Sequence, residues 1–491
     1  MIPGNQIGPG RSGLIIEEPL LWERGAKGRC GMSIPESDVP QAQIDDSLLG
    51  EGPNFPDLSE VDVVRHYTHL SLWNFGVDTG MYPLGSCTMK YNPKINEQIA
   101  AMPAFTEAHP MLPDELCQGT LRLIYEMQQA LCVISGLDAA TLQPAAGAQG
   151  ELTGMFLFAA YHKSKGKKRS KILMPDTAHG TNPASAALCG FKPVKIAVNE
   201  KGRLNADEVR ELMDDDTAGI MITNPNTLGL FESNIREIAD IVHEKGGLVY
   251  GDGANMNAMM GIINMKKCGV DVMHWNVHKT LSTPHGGGGP GAGPVCVVKE
   301  LEKFLPSPHI TFDGKMYHRK TDLPDSLGRV HSFHGNFGVL IKAYSYVLSM
   351  GEEYLRRASE LAVLNANYIK EKLRGYYFLP QDAVCMHEVV FSDKLQEEYK
   401  VSTLDIAKRL MDCGYHPPTI YFPLIVHGAI MIEPTETECL EDLDEFIEVM
   451  RAIAEEAKTD PDLLHNSPQR YKVRRLDETY AARNPCLTGG Q

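Results

Sequence analysis

The sequence has no CxxC pair, no basic excess and no long apolar run. Its eleven cysteines are scattered from Cys30 to Cys486 without regular spacing. In a chain of 491 residues that pattern argues against a disulfide framework and for reduced thiols in a cytoplasm. Basic residues number 47 against 63 acidic, a net charge of −16, so the electrostatic footprint of a nucleic-acid binder is missing. That balance still leaves room for small anions held by local backbone and side-chain donors. No stretch approaches the roughly 18 apolar residues that a membrane span requires. The start, MIPGNQIGPGRSGLIIEEPLLWERG, lacks the basic segment and apolar core of a secretory signal. A soluble, cytoplasmic protein is expected.

What is present is an ordinary globular balance, 43% hydrophobic and 22% charged, in a chain too long for one small core. Residues 1–90 are rich in Pro and Gly and are expected to form an extended arm that buries itself on another chain. A helical period follows from Leu116 to Gly136, with Leu121, Ile124, Leu131 and Ile134 on one face. Within 91–350, short apolar runs alternate with amphipathic stretches. The predicted strands are Lys171–Pro175, Val194–Val198, Gly219–Thr223, Gly247–Gly251 and Val295–Lys299. Helices are predicted at Asn205–Met213 and Asn234–Glu244 between them. Continuous rather than alternating hydrophobicity marks strands covered on both faces, so a mostly parallel α/β sheet is expected. Residues 351–491 open with the helical YLRRASELAVLNANYIKEKL and include an acidic helix near Leu440–Lys458. They are expected to form a smaller α+β domain and a tail.

The chemistry is concentrated in three segments of the middle region. In YGDGANMNA a buried strand ends at Asp252, and in NVHKTLSTPHGGGGPGAG a turn presents His278 and Lys279 beside a glycine-rich loop. A pyridoxal-phosphate site needs one lysine for a Schiff base and one carboxylate against the pyridinium nitrogen. Strand ends are where open α/β sheets bind ligands. Taken singly, Asp252 reads as a cap and Lys279 as a surface lysine; together they read as a cofactor pair. In LQPAAGAQGELTG a small-residue turn opens a helix, and the free N–H groups of Gly147, Ala148 and Gln149 suit a phosphate. In MPDTAHGTNPASA, His179 follows a strand end, where an imidazole can lie on the cofactor ring.

These segments, together with HPPTIYFPLIVHGAIMIEPTETE and VRRLDETYAAR, resemble the P-protein family of the glycine cleavage system. The likeness runs from PLGSCTMKYNP to near the end, and within the family it is to the second chain of the two-chain bacterial form. It implies the aminotransferase-like fold type I and a pyridoxal 5'-phosphate cofactor. The implied reaction is glycine decarboxylation with transfer of the aminomethyl group to the lipoyl arm of an H-protein. The resemblance carries over Lys279 as the Schiff-base lysine, Asp252 as the pyridinium partner, and Ala254 under the ring opposite His179. It makes Asn255 a candidate for the phenolic oxygen, and His278 and Asn276 candidates for the phosphate. Ser86, Thr88, Lys90, His334 and Asn336 are candidates for a substrate or lipoyl channel, with loop positioning as the alternative. Cys87 is not expected to act as a catalytic thiol, and His416 and His427 are left between structural and functional roles. No metal ligands are implied.

The resemblance also implies a lysine-less first chain as partner, in a heterotetramer of two chains of each kind. A different enzyme of the same fold, a desulfurase or another amino-acid lyase, is the competing reading. It would require a cysteine on a mobile loop or a dedicated substrate arginine. A regulatory subunit without cofactor is the non-enzymatic alternative, and Asp252 with Lys279 speaks against it.

Overall fold

The computed structural model describes residues 18–52, 54–286, 289, 291–471 and 473–487. The first part of the expected arm, most of the glycine run after His285 and the end of the tail lie outside them. Seven strands form the central sheet: β1 (Ala139–Thr141), β2 (Lys171–Pro175), β3 (Lys192–Ile196), β4 (Thr217–Thr223), β5 (Leu248–Gly253), β6 (Val272–Trp275) and β7 (Val295–Val297). Their order is β1-β7-β6-β5-β4-β2-β3. All run parallel except β7, which pairs antiparallel with both β1 and β6. Side chains alternate between two cores: Ile172 and Met174 enter one, Leu173 the other. Helices cover both faces, and this is why the strands read as unbroken apolar runs. The Ile235–Glu244 helix shows the pattern at its clearest, burying Ile235, Ile238, Ala239, Ile241 and Val242.

β3 starts two residues before the apolar run that predicted it. Its pairing with β2 begins at Lys171↔Lys192, and as an edge strand it tolerates an exposed lysine there. The Phe337–Leu373 helical rod breaks at Gly351, whose φ of 62° is left-handed and open to glycine without strain. Leu355 and Ala358, beyond the break, still pack on the central core, while Ala366, Ile369 and Leu373 enter the C-terminal one. The rod therefore joins the two cores. A two-stranded ribbon, β8 (His309–Phe312) and β9 (Tyr317–Lys320), precedes it. β10 (Val389–Ser392), β11 (Thr419–Ile420) and β12 (Ala429–Ile432) form the antiparallel C-terminal sheet, backed by the Leu440–Thr459 helix.

The segment expected to run extended carries a helix at Glu60–Trp73, opened by a Ser59–Asp62 capping box. Val61, Val64, Tyr67 and Leu72 on it are exposed, as are Met32, Ile34 and Phe55 before it. Farther on, the chain turns inward. Leu84 bridges to Ile432, and the Thr88 N–H and hydroxyl both donate to Glu433. PLGSCTMK is thus built between the two cores, with Ser86 and Thr88 at φ of 67° and 50°. Left-handed conformations at non-glycine residues cost free energy that the surrounding bonds must meet. Among the described residues no helix is long and apolar enough to cross a membrane.

Candidate active site

Asp252 ends β5 and Lys279 stands in the short Val277–Thr280 turn that follows β6. The two strands are neighbours, with Asp252 in register with His274, so their carboxyl ends deliver both groups to one cavity of about 320 Å³. Asp252 is fully buried and well supplied with donors. Its Oδ1 accepts the Ala254 N–H at 3.0 Å, and its Oδ2 accepts from Asn182 Nδ2 at 3.1 Å and Thr223 Oγ1 at 3.4 Å. Below it the Tyr250 hydroxyl and His274 Nδ1 are hydrogen-bonded at 2.6 Å, and His274 Nε2 lies 3.6 Å from Asp252 Oδ1. Burial would raise the Asp252 carboxyl, but His274, the Ala254 N–H, Asn182 and the Lys279 charge hold it below the usual carboxylate range. Burial holds His274 below the usual imidazole range, so the negative charge of the pair resides on Asp252.

The opposite end of the cavity is the start of the Gly147–Ser164 helix. Its cap, Ala146, has no side chain to bond the first turn. Gly150 donates to Ala146 O at 2.9 Å, which leaves the N–H groups of Gly147, Ala148 and Gln149 without an intrahelical acceptor. A Cβ on Gly147 would sit 2.3 Å from Asn276 Oδ1, so only glycine lets this helix approach the turn after β6. Asn276 Oδ1 itself is buried without a partner. His278 Nδ1 accepts the Ala292 N–H at 3.4 Å, and burial, with the Lys279 charge, pushes the ring down to about 3. It is therefore a neutral Nε2–H donor.

His179 lies on the cavity wall with Nδ1 2.9 Å from Thr181 Oγ1, which in turn is 2.9 Å from Glu151 Oε1. Glu151 is buried, its Oε2 has no partner, and burial with the Asp252 charge pushes it up to about 8. The remaining wall comes from Ser86 and Cys87 and from His387 and Glu388, just before β10. Glu388 Oε2 accepts the Ser86 N–H at 2.8 Å, and burial with Glu433 pushes its carboxyl up to about 8.

Of the ten residues singled out, Lys279, Asp252, Ala254, Asn255, His179, Gly147, Ala148, Asn276 and His278 line this cavity. Gln149 does not. Its side chain accepts from Ala145 N–H and donates to Val330 O, leaving only its backbone N–H for a ligand. Asn255 reaches the cavity, yet both amide hydrogens are engaged by Thr88 Oγ1 at 2.6 Å and Glu433 Oε1 at 2.9 Å. Among the channel candidates, Ser86 lines the cavity, while Thr88 and Lys90 line an adjoining cleft of about 600 Å³. Lys90 is buried and bonded to Glu436 and Asn257, so it ties the two cores together. Asn336 donates to the Ala145 and Gly291 carbonyls, a loop-positioning arrangement, and His334 is buried away from the cavity. His416 stacks on Tyr82 in the adjoining cleft, and His427 is exposed beside Glu397.

Sequence reasoning passed over Glu151, His274, Asn182, His387 and Glu388. Asn182 and Glu151 stood inside quoted motifs and were within reach; His274 depends on strand register and the last two on a different domain.

The residues fit pyridoxal phosphate. A carboxylate has about four lone-pair directions, and three at Asp252 are taken by protein donors, leaving one for a ring N–H. The uncapped helix start supplies N–H groups still lacking an intrahelical acceptor, as a phosphate requires.

Two family models match the chain: "Aminotransferase class-V" over residues 151–325 and "Glycine dehydrogenase, C-terminal domain" over 358–467. The chain is 56% identical over 474 residues to a protein of Caldanaerobacter subterraneus subsp. tengcongensis, covering 95% of this chain and 98% of that one. It is 54% identical to one of Alkaliphilus oremlandii, covering 95% and 97%. Both are named "Probable glycine dehydrogenase (decarboxylating) subunit 2". Among solved structures, a glycine decarboxylase (P-protein) of the glycine cleavage system superposes with a TM-score of 0.70 at 19% identity, over 83% of this chain and 92% of that one. A cysteine desulfurase from Thermococcus onnurineus gives 0.61 at 16%, over 77% and 95%. These likenesses establish the fold type I architecture expected from the sequence.

Proposed function

The chain belongs to the glycine dehydrogenase (decarboxylating) subunit 2 family, and on that premise we propose that it decarboxylates glycine and passes the aminomethyl group to the lipoyl arm of an H-protein. The observation that carries this reading is the meeting of Asp252, Lys279 and the open helix start at Gly147 in one cavity. Bound there, pyridoxal phosphate would supply an electron sink for the pair released when the carboxylate leaves. Lys279 offers its amine to the cofactor aldehyde. Asp252, kept ionised by its donors, would hold the ring nitrogen protonated and so favour electron acceptance by the ring. Gly147, Ala148 and the Gln149 backbone offer N–H groups to the phosphate, and His278 and Asn276 add side-chain contacts. His179 and Ala254, both on the cavity wall, would pack against the ring. Asn255 serves the phenolic oxygen only if its bond to Thr88 or Glu433 gives way.

A desulfurase would use a thiolate, and Cys87 is the cysteine on this cavity. Burial pushes its thiol up, which leaves it protonated and a poor nucleophile. We further propose an arm over 1–90, its last residues drawn in between the two cores, a cofactor domain over 91–350 and a smaller domain with a tail over 351–491. The exposed apolar residues of the arm support a lysine-less subunit 1 as partner, in a heterotetramer of two chains of each kind in the cytoplasm. Exchange of bicarbonate into glycine tests the reading. It should be weak for this chain alone, be restored by co-expression with the partner chain, and rise strongly with lipoylated H-protein. Full exchange by the isolated chain, running as a monomer or homodimer in light scattering, would refute the partner requirement.

A further inference from the structure

His387 is 2% exposed, and neither of its ring nitrogens has a partner. A buried polar atom left without a partner is costly, and a ligand can recover that cost. The neighbouring carboxylates cannot. Glu388 Oε2 is 3.8 Å from His387 Nε2 and already accepts from Ser86, while Glu433 serves Thr88 and Asn255. The ligand atoms of His387, Glu388 and Glu433 lie within 4.8 Å of one another. Yet a metal ion would have to take carboxylate oxygens from those donors and strip the proton from Glu388. His387 faces the cavity that holds Lys279, so its missing partner is to be sought in whatever Lys279 receives.

An α-amino acid brought to Lys279 carries a carboxylate that must also be received. Among the described residues lining the cavity, Lys279 is the one lysine or arginine, so no guanidinium clamp is available. We propose that His387, with Glu388 beside it, forms the subsite that receives the substrate carboxylate. The inference rests on the glycine reading above. An imidazole N–H answers the carboxylate directly, and Glu388, protonated at neutral pH, meets it without like-charge repulsion. The arrangement suits a group that is about to leave. Strong ion pairing would stabilise the carboxylate in the ground state and be lost as it departs as neutral carbon dioxide.

The test compares glycine with methylamine, which carries the same amine and lacks the carboxylate. Each is titrated into the cofactor-loaded full chain, in the assembly in which it purifies, and followed by the visible absorbance. His387→Ala should weaken glycine by about tenfold or more, roughly 1.4 kcal/mol, and leave methylamine within about twofold. His387→Asn, which keeps an amide donor, should fall between. Unchanged glycine affinity in both variants overturns the subsite, as does an equal loss of both amines. Zinc binding that disappears in His387→Ala while glycine affinity holds overturns it in favour of a metal. A wild-type protein that responds to methylamine and ignores glycine refutes the glycine reading itself.

Discussion

Asp252 and Glu388 are both fully buried carboxyl groups on one cavity, and they end in different protonation states, one ionised and one neutral. Asp252 sits at a strand end, where a backbone N–H, Asn182 and Thr223 donate to two oxygens and the His274 ring lies 3.6 Å away. Glu388 has one donor, the Ser86 N–H, and a second carboxylate, Glu433, close by. Desolvation is common to both; the number of donors and the sign of the neighbour decide the outcome. The floor of the cavity is thereby fixed negative, suited to a pyridinium. The far wall is kept neutral, suited to an anion.

The largest expected effect lies at the floor. Lys279→Ala should abolish covalent capture of the cofactor while leaving weak binding through the phosphate groups. Borohydride should fix the cofactor to the wild-type peptide containing Lys279, and a label on Lys90 or Lys266 would overturn the assignment. Asp252→Asn should lose at least a hundredfold in turnover, about 2.7 kcal/mol on the barrier, with cofactor still bound. Near-normal turnover in that variant would remove the fixed charge from the comparison.

At the far wall the expected effect is on stability and its pH dependence. Glu388 titrates near 8 in the folded chain against an ordinary value of 4.5. The folded state therefore holds this proton more tightly than the unfolded one. Its stabilising contribution is complete below about pH 4.5 and is lost as pH rises through about 8. Glu388→Gln should flatten the fall in Tm across that window without removing it, because Glu151, also near 8, follows the same sign. A thermal melt series from pH 5 to 9 reads this, and an unchanged slope would show that Glu388 is ionised throughout.

The floor was legible in the sequence and the far wall was not. Asp252 was expected at the end of an apolar run and Lys279 in a turn beside a glycine-rich loop, and β2 matched its predicted bounds residue for residue. Register was beyond reach: nothing in the linear order says that His274 stands beside Asp252, or that Tyr250 closes the chain beneath it. His387 and Glu388 lie in the C-terminal part and reach the site through long-range contacts, the Ser86 N–H to Glu388 and the Met386 N–H to the Gly229 carbonyl. Gln149 and Asn255 show the converse. Both stand in motifs that border the cavity, but competing local partners, Ala145 and Val330 for one and Thr88 and Glu433 for the other, occupy their side chains.

The smallest expected effect tests whether the donors around Asp252 act by number or by identity. Thr223 Oγ1 makes the longest of its bonds, 3.4 Å, against 3.1 Å from Asn182 and 3.0 Å from the Ala254 N–H. Thr223→Val keeps the shape and removes only that hydroxyl, so the bonds that remain still hold the carboxylate ionised. A weak hydrogen bond to a charged group is worth roughly 1 kcal/mol, which sets turnover at about a fifth of wild type. Asn182→Ala removes a shorter bond and opens space as well, so it should cost more. Both should show the same visible band at neutral pH as the wild type. If Thr223→Val instead matched Asp252→Asn, the carboxylate would depend on a single hydroxyl, and the contrast with Glu388 could not rest on the number of donors.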